Sequence, residues 1–148
     1  MMYNNLSNTY REVAVQTSSP TKMVVMLYEG SIRFLRDSIT AIQCKDINRK
    51  RQSIDRAVAI VQHLRDTLDM DRGGQVASDL NRLYSYIASR ILEASAKLET
   101  APLEEAIKLL SVLMSAWQEL ANKESNNAVP PALLAQQQAA TGGFKLHA

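Results

Sequence analysis

Four stretches of this chain repeat apolar residues at the three- and four-residue spacing of a helix face, each about twenty residues long and parted by turn signals. That pattern constrains the fold more than any other feature. In the first stretch, Ser19 stands before Pro20, a capping residue ahead of a ring whose missing N–H costs nothing at the first helical position, and the helix is expected to run to about Gln43. Asp46 can cap a second helix, in which Ile47, Ile54, Val61 and Leu68 recur every seven residues beside Ala57, Val58 and Leu64. Its end is expected at Gly73-Gly74, because glycine enters the left-handed region without steric cost. A third stripe follows with Val76, Leu80, Leu83, Ile87, Ile91, Ala94 and Leu98. Thr100 and Pro102 then open a fourth, carrying Leu103, Ile107, Leu110, Met114, Trp117 and Ala121 to about Lys123. Short connections oblige successive helices to run antiparallel. The expected fold is all-α, an antiparallel up-and-down four-helix bundle over residues 19–123.

The ends of the chain read differently. Residues 1–18 are polar with isolated apolar positions, of which Leu6, Tyr10 and Val13 would form one stripe if helical, so this segment is expected to be a short N-terminal helical cap held by the bundle. Residues 124–148 hold two charges, Glu124 and Lys145, with Pro130-Pro131 and Gly142-Gly143, and are expected to be a disordered tail in which residues 132–140 form at most a transient helix. At 148 residues the chain fits one domain with loose ends.

The residues that chemistry would need are scarce. The two histidines, His63 and His147, stand apart, so neither a nucleophile with its base nor general acid-base work is expected, and the chain reads as no enzyme. No Glu-x-x-His pairs occur on facing helices, so no metal is expected, and Gly73-Gly74 lacks the further glycines and lysine of a phosphate loop, so no cofactor is either. Cys44 cannot close an internal disulfide, and as a lone thiol it fits a reducing, cytoplasmic setting. The longest apolar run, Met23 to Tyr28, is far shorter than the roughly 20 residues of a membrane span, so no membrane insertion is expected.

A net charge of +2 names no nucleic-acid partner. Lys45, Arg49, Lys50, Arg51 and Arg56 do outnumber Asp46 and Asp55 at the start of the second helix. A helical regulatory or RNA-binding protein using that patch is therefore the alternative, weakened by the lack of interleaved aromatics for stacking bases.

Apolar surface is in surplus. The fourth helix adds a second row of Ala106, Leu109, Leu113, Ala116 and Leu120 with Val112 between, the third adds Tyr84, Ala88 and Leu92, and the first adds Val24, Val25, Tyr28, Ile32 and Leu35. One seam cannot bury all of this. Either part of it meets another chain, a client or a second copy in a weak homodimer, or the helices are wide-faced core elements under the N-terminal segment. Gly30, inside the first helix, costs about 1 kcal/mol relative to alanine and so implies a close neighbour there.

Several segments together resemble the flagellar secretion chaperone family FliS. They are Tyr10-Arg11-Glu12-Val13 followed by Thr17-Ser18-Ser19-Pro20; Met26-Leu27-Tyr28-Glu29-Gly30 with Ile32, Phe34 and Leu35; Leu68-Asp69-Met70-Asp71-Arg72-Gly73-Gly74; Leu80 with Leu83-Tyr84-Ser85-Tyr86-Ile87; and Ala116-Trp117. Ser18 stands where the family often has alanine, and the tail after Lys123 lies outside the resemblance. The resemblance implies a cytoplasmic, non-enzymatic chaperone that binds the C-terminal segment of flagellin around the bundle, prevents premature polymerisation and presents the client to the flagellar type III export gate. An amphipathic client would lay its own apolar stripe into such grooves. Tyr10, Tyr28, Leu83, Tyr84, Ile87, Ile91 and Leu113 are the candidate flagellin contacts, and Leu6, Tyr10 and Val13 the stripe of an N-terminal lid.

Overall fold

The computed structural model describes residues 20–124, which form four helices: α1 (Pro20–Gln43), α2 (Ile47–Asp66), α3 (Met70–Lys97) and α4 (Ala101–Lys123). Three-residue connections reverse the chain each time. α1 packs on α2 and α4, and α3 packs on the same two, so the helices close into the square ring of an antiparallel four-helix bundle. The Thr21 hydroxyl donates to a Glu124 carboxylate oxygen at 2.5 Å and ties the first turn of α1 to the end of α4. The expected N-terminal helical segment, with Leu6, Tyr10 and Val13, and the expected tail beyond Glu124 lie outside the described residues.

Local chemistry explains most boundaries. The Asp46 carboxylate accepts the Arg49 backbone N–H at 3.1 Å and caps α2 as expected. α1 closes through Lys45 at φ 59°, with the Asp46 N–H donating to the Ala41 carbonyl at 2.8 Å, a left-handed turn that a side chain makes at a cost. α3 closes the same way through Leu98 at φ 54°. α4 opens with Pro102 in its first turn, but the Thr100 side chain makes no cap hydrogen bond.

The junction of α2 and α3 departs from expectation. α2 stops at Asp66, where Thr67 turns the chain and its hydroxyl donates to the Leu64 carbonyl at 2.9 Å. Asp69 then starts α3, its carboxylate accepting the N–H groups of Asp71 at 3.1 Å and Arg72 at 3.0 Å. The glycine pair therefore lies inside the first turns of α3, and Gly74, at φ 55° and ψ −132°, breaks that opening turn from the longer helix. Glycine does take a conformation other residues avoid here, but a carboxylate five residues earlier had already begun the helix.

The core is built from Val24, Tyr28 and Leu35 of α1, Val61 and Leu64 of α2, Tyr84, Ile87 and Ile91 of α3, and Leu103, Leu110 and Trp117 of α4. Each buried aliphatic side chain contributes about 1.5–3 kcal/mol of transfer free energy. Buried serines are satisfied locally: Ser31 donates to the Tyr28 carbonyl at 2.9 Å and Ser38 to the Phe34 carbonyl at 2.8 Å. α1 buries Met23, Val24, Val25, Leu27, Tyr28, Gly30, Ser31 and Ile32 in near succession, which makes it a wide-faced core helix. A Cβ on Gly30 would sit 3.4 Å from the Ile60 side chain, so the close neighbour is α2.

Candidate interaction surface

At the bundle centre the hydroxyls of Tyr28 and Tyr84 hydrogen-bond to each other across the diagonal between α1 and α3. The Trp117 indole, which can only donate, bonds the Tyr28 oxygen from α4. Burial, and then the neighbouring Tyr84, push the Tyr28 phenol well above the ordinary tyrosine value, and the Trp117 donor offsets this only in part. The Tyr28 phenol stays neutral, and the pair serves as a polar pin. Among the described residues no group of three or more His, Cys, Asp or Glu side chains could hold a metal ion.

A second polar cluster marks how α3 and α4 face each other. The Tyr86 hydroxyl donates to Glu105 at 2.8 Å, the Arg90 Nε donates to the same carboxylate at 2.6 Å, and another Arg90 nitrogen reaches Glu93 at 2.6 Å. Arg90 and then Tyr86 hold the Glu105 carboxyl below its usual range, while the hydrogen bond to Glu105 pushes the Tyr86 phenol up. Arg90 and Glu105 stand nearly equidistant from the turn at Leu98, and in an antiparallel pair such residues meet. That symmetry was the available signal for this network, which the apolar pattern does not reveal.

The cluster also orients the apolar rows. Leu83, Tyr86 and Arg90 share one flank of α3 at i, i+3 and i+7, with Val76 two turns earlier; Glu105, Leu109, Val112 and Ala116 share the matching flank of α4. Because Tyr86 and Arg90 bond Glu105, these flanks adjoin along the outer seam. Val112 is 65% exposed, Val76 50% and Tyr86 44%, with Leu83, Leu109, Leu113 and Leu120 half-buried beside them. An apolar strip thus runs along the outside of α3 and α4, away from the sealed centre.

The sequence-based candidates divide between these two places. Leu83 and Leu113 lie on the strip. Tyr28, Tyr84, Ile87 and Ile91 are instead fully buried in the core, because the buried line of α3 runs through Ala77, Tyr84, Ile87, Ala88, Ile91 and Ala94. Val76 and Leu98, expected on the core stripe, are exposed. Tyr10, Leu6 and Val13 lie outside the described residues. The surplus therefore divides between helices: α1 buries a wide face, and α3 and α4 carry apolar side chains on their outer flanks.

The basic start of α2 is largely engaged. Arg49 pairs with Asp37 at 3.1 Å, Lys50 donates to Ser95 at 3.0 Å, and the Arg56 guanidinium lies 5.7 Å from the Phe34 ring centre, with Arg33 at 5.4 Å. Cys44 is exposed beside this region. No helix among the described residues is long and apolar enough to cross a membrane.

A sealed core with an apolar outer seam places the protein in the class of all-α four-helix bundles. The family described as Flagellar protein FliS matches residues 2–124. The flagellar secretion chaperone FliS of Campylobacter jejuni is 34% identical over 84% of this chain and 98% of its own. FliSB of Pseudomonas aeruginosa is 33% identical over 72% of this chain and 84% of its own, and FliS of Bacillus subtilis 28% over 84% and 92%. The chain belongs to the FliS family of flagellar secretion chaperones, a chaperone family and not an enzyme family, with a role in flagellar export.

Proposed function

We propose that this chaperone works in the cytoplasm, where it binds the C-terminal segment of flagellin, keeps it from polymerising prematurely and delivers it to the flagellar type III export gate. The observation that carries this reading is the apolar strip along α3 and α4 on a chain of the FliS family. A client with apolar residues at helical spacing gains by burying them there, and a long wrapped interface offsets the cost of ordering it. Leu83 and Leu113 make direct contacts in this account, and the buried Tyr28, Tyr84, Ile87 and Ile91 act through the core that holds the two helices in place. Tyr10 joins them from residues 1–18, which in the free protein cover part of the groove and move when the client arrives. The domain plan is a cap over residues 1–18, the bundle over 19–123 and a tail over 124–148.

The RNA-binding alternative is not favoured, since Arg49, Lys50 and Arg56 already have protein partners. Filament assembly by purified flagellin tests the proposal. An equimolar amount of the chaperone is expected to suppress pelletable filament and to form a complex with full-length flagellin that is absent with flagellin lacking its C-terminal segment. Equal binding to both flagellins would refute it.

A further inference from the structure

Charge is not spread evenly over the bundle. Residues 20–66, which form α1, α2 and their turn, hold nine Lys and Arg against five Asp and Glu, whereas residues 67–124 hold six against nine. In the square ring α1 and α2 lie side by side across from α3 and α4, so the positive side faces away from the apolar strip. On that side the guanidinium carbons of Arg33, from α1, and Arg56, from α2, lie over the half-buried Phe34 ring, 5.4 Å and 5.7 Å from its centre. A ring takes up only the flat face of a guanidinium and leaves its N–H edge open to a planar oxyanion. Among the described residues neither arginine makes an ion pair, and neither do Arg36, on the exposed line of α1, or Glu29, one turn before Arg33. Phe34 thus holds two long side chains from different helices near one place, with much of their rotamer freedom already given up on folding.

We propose that the α1–α2 face, through Arg33, Arg36 and Arg56, docks an acidic segment of a partner protein on the side of the bundle opposite the apolar strip. Each guanidinium edge takes a carboxylate in two parallel hydrogen bonds. The layout favours a peptide over a nucleic acid. A phosphate backbone needs a continued track of cations, but Arg49 and Lys50, which would extend this one, already bond Asp37 and Ser95. Base stacking needs an open aromatic face, and here Phe34 lies under guanidiniums while Tyr28 is buried. A second copy offering its negative side would leave an unused positive side on every pair, and so build open chains rather than a closed dimer.

The test uses the full chain without a client, so its outcome is independent of whether flagellin is the ligand of the strip. A short peptide of alternating glutamate and alanine is titrated at low salt into the isotope-labelled chain, with the glutamine version as control. Amide shifts concentrated at Arg33, Phe34, Arg36 and Arg56, and absent with the glutamine peptide, are the expected result. Arg33→Gln with Arg36→Gln, which changes only exposed side chains, is expected to weaken binding about fivefold or more. Phe34→Leu keeps every charge but frees both guanidiniums, and is expected to weaken it about threefold with the chain still folded. Wild-type affinity in the double arginine variant, or shifts shared equally with Lys108 and Lys123 on α4, overturns the proposal. So does tighter binding of an oligouridylate or of anionic lipid vesicles than of the glutamate peptide at the same salt, or self-association of the chain that the double variant abolishes.

Discussion

The Tyr28 and Tyr84 hydroxyls meet at the bundle centre, where helices on opposite corners of the square touch through a hydrogen bond between side chains that are both fully buried. With Trp117 donating to the same Tyr28 oxygen, one atom satisfies polar groups from three helices. Such a junction rewards one relative rotation of α1, α3 and α4, because any other leaves buried polar groups unmet.

Tyr28→Phe is therefore expected to cost about 1–3 kcal/mol, since it strips Tyr84 and Trp117 of a shared partner while removing almost no volume. Urea unfolding checks this, and an unchanged midpoint would argue against the junction. The same phenol sets an alkaline limit. Its folded value is raised above the ordinary 10.0, so the unfolded chain loses the proton first; the contribution is intact below pH 10 and declines as pH rises through the raised folded value.

The seam between α3 and α4 has the opposite pH dependence. The Glu105 carboxyl is lowered from 4.5, so its contribution is present above that pH and is lost as pH falls through the lowered folded value. Acid titrations of the wild type and Glu105→Gln are expected to differ near neutrality and to converge at low pH. Parallel curves would show that the network carries no pH-dependent stability.

Lys45 spends backbone energy in the left-handed region at φ 59°. Lys45→Gly is expected to raise stability by about 1 kcal/mol, seen as a higher thermal midpoint, because an exposed side chain is lost and the strain with it.

Gly30→Ala is expected to be neutral or to gain up to about 1 kcal/mol, because the new Cβ would meet Ile60 at an ordinary 3.4 Å. Gly30→Leu, which has no room against Ile60, is expected to destabilise by about 1–3 kcal/mol. Thermal melts of both variants separate packing from propensity.

Helix number, order and type were legible because apolar spacing reports amphipathicity directly. The rotation of each helix was less legible. Leu83 and Tyr84 are adjacent and both apolar enough to be core, and only the Tyr28 hydroxyl that meets Tyr84 distinguishes Tyr84 as the central residue and leaves Leu83 on the flank. The α2–α3 boundary misled for a related reason: Asp69 and Gly73-Gly74 are both valid helix signals, and the carboxylate begins the helix before the glycines can end one. The polar seam of Tyr86, Arg90 and Glu105 was hidden because it needs the turn position before its symmetry shows.

Calorimetric titration of a flagellin C-terminal peptide into the wild type, Val112→Asp and Leu113→Ala is the most direct test of the central claim, that the α3–α4 strip receives the client. Val112 is 65% exposed, so its change to aspartate leaves the fold intact and alters only the surface. The account predicts a loss of about tenfold or more in affinity for both variants with melting of Val112→Asp unchanged, a large negative heat-capacity change in the wild type, and weak dependence on salt between about 50 and 200 mM. Wild-type affinity in both folded variants would contradict it.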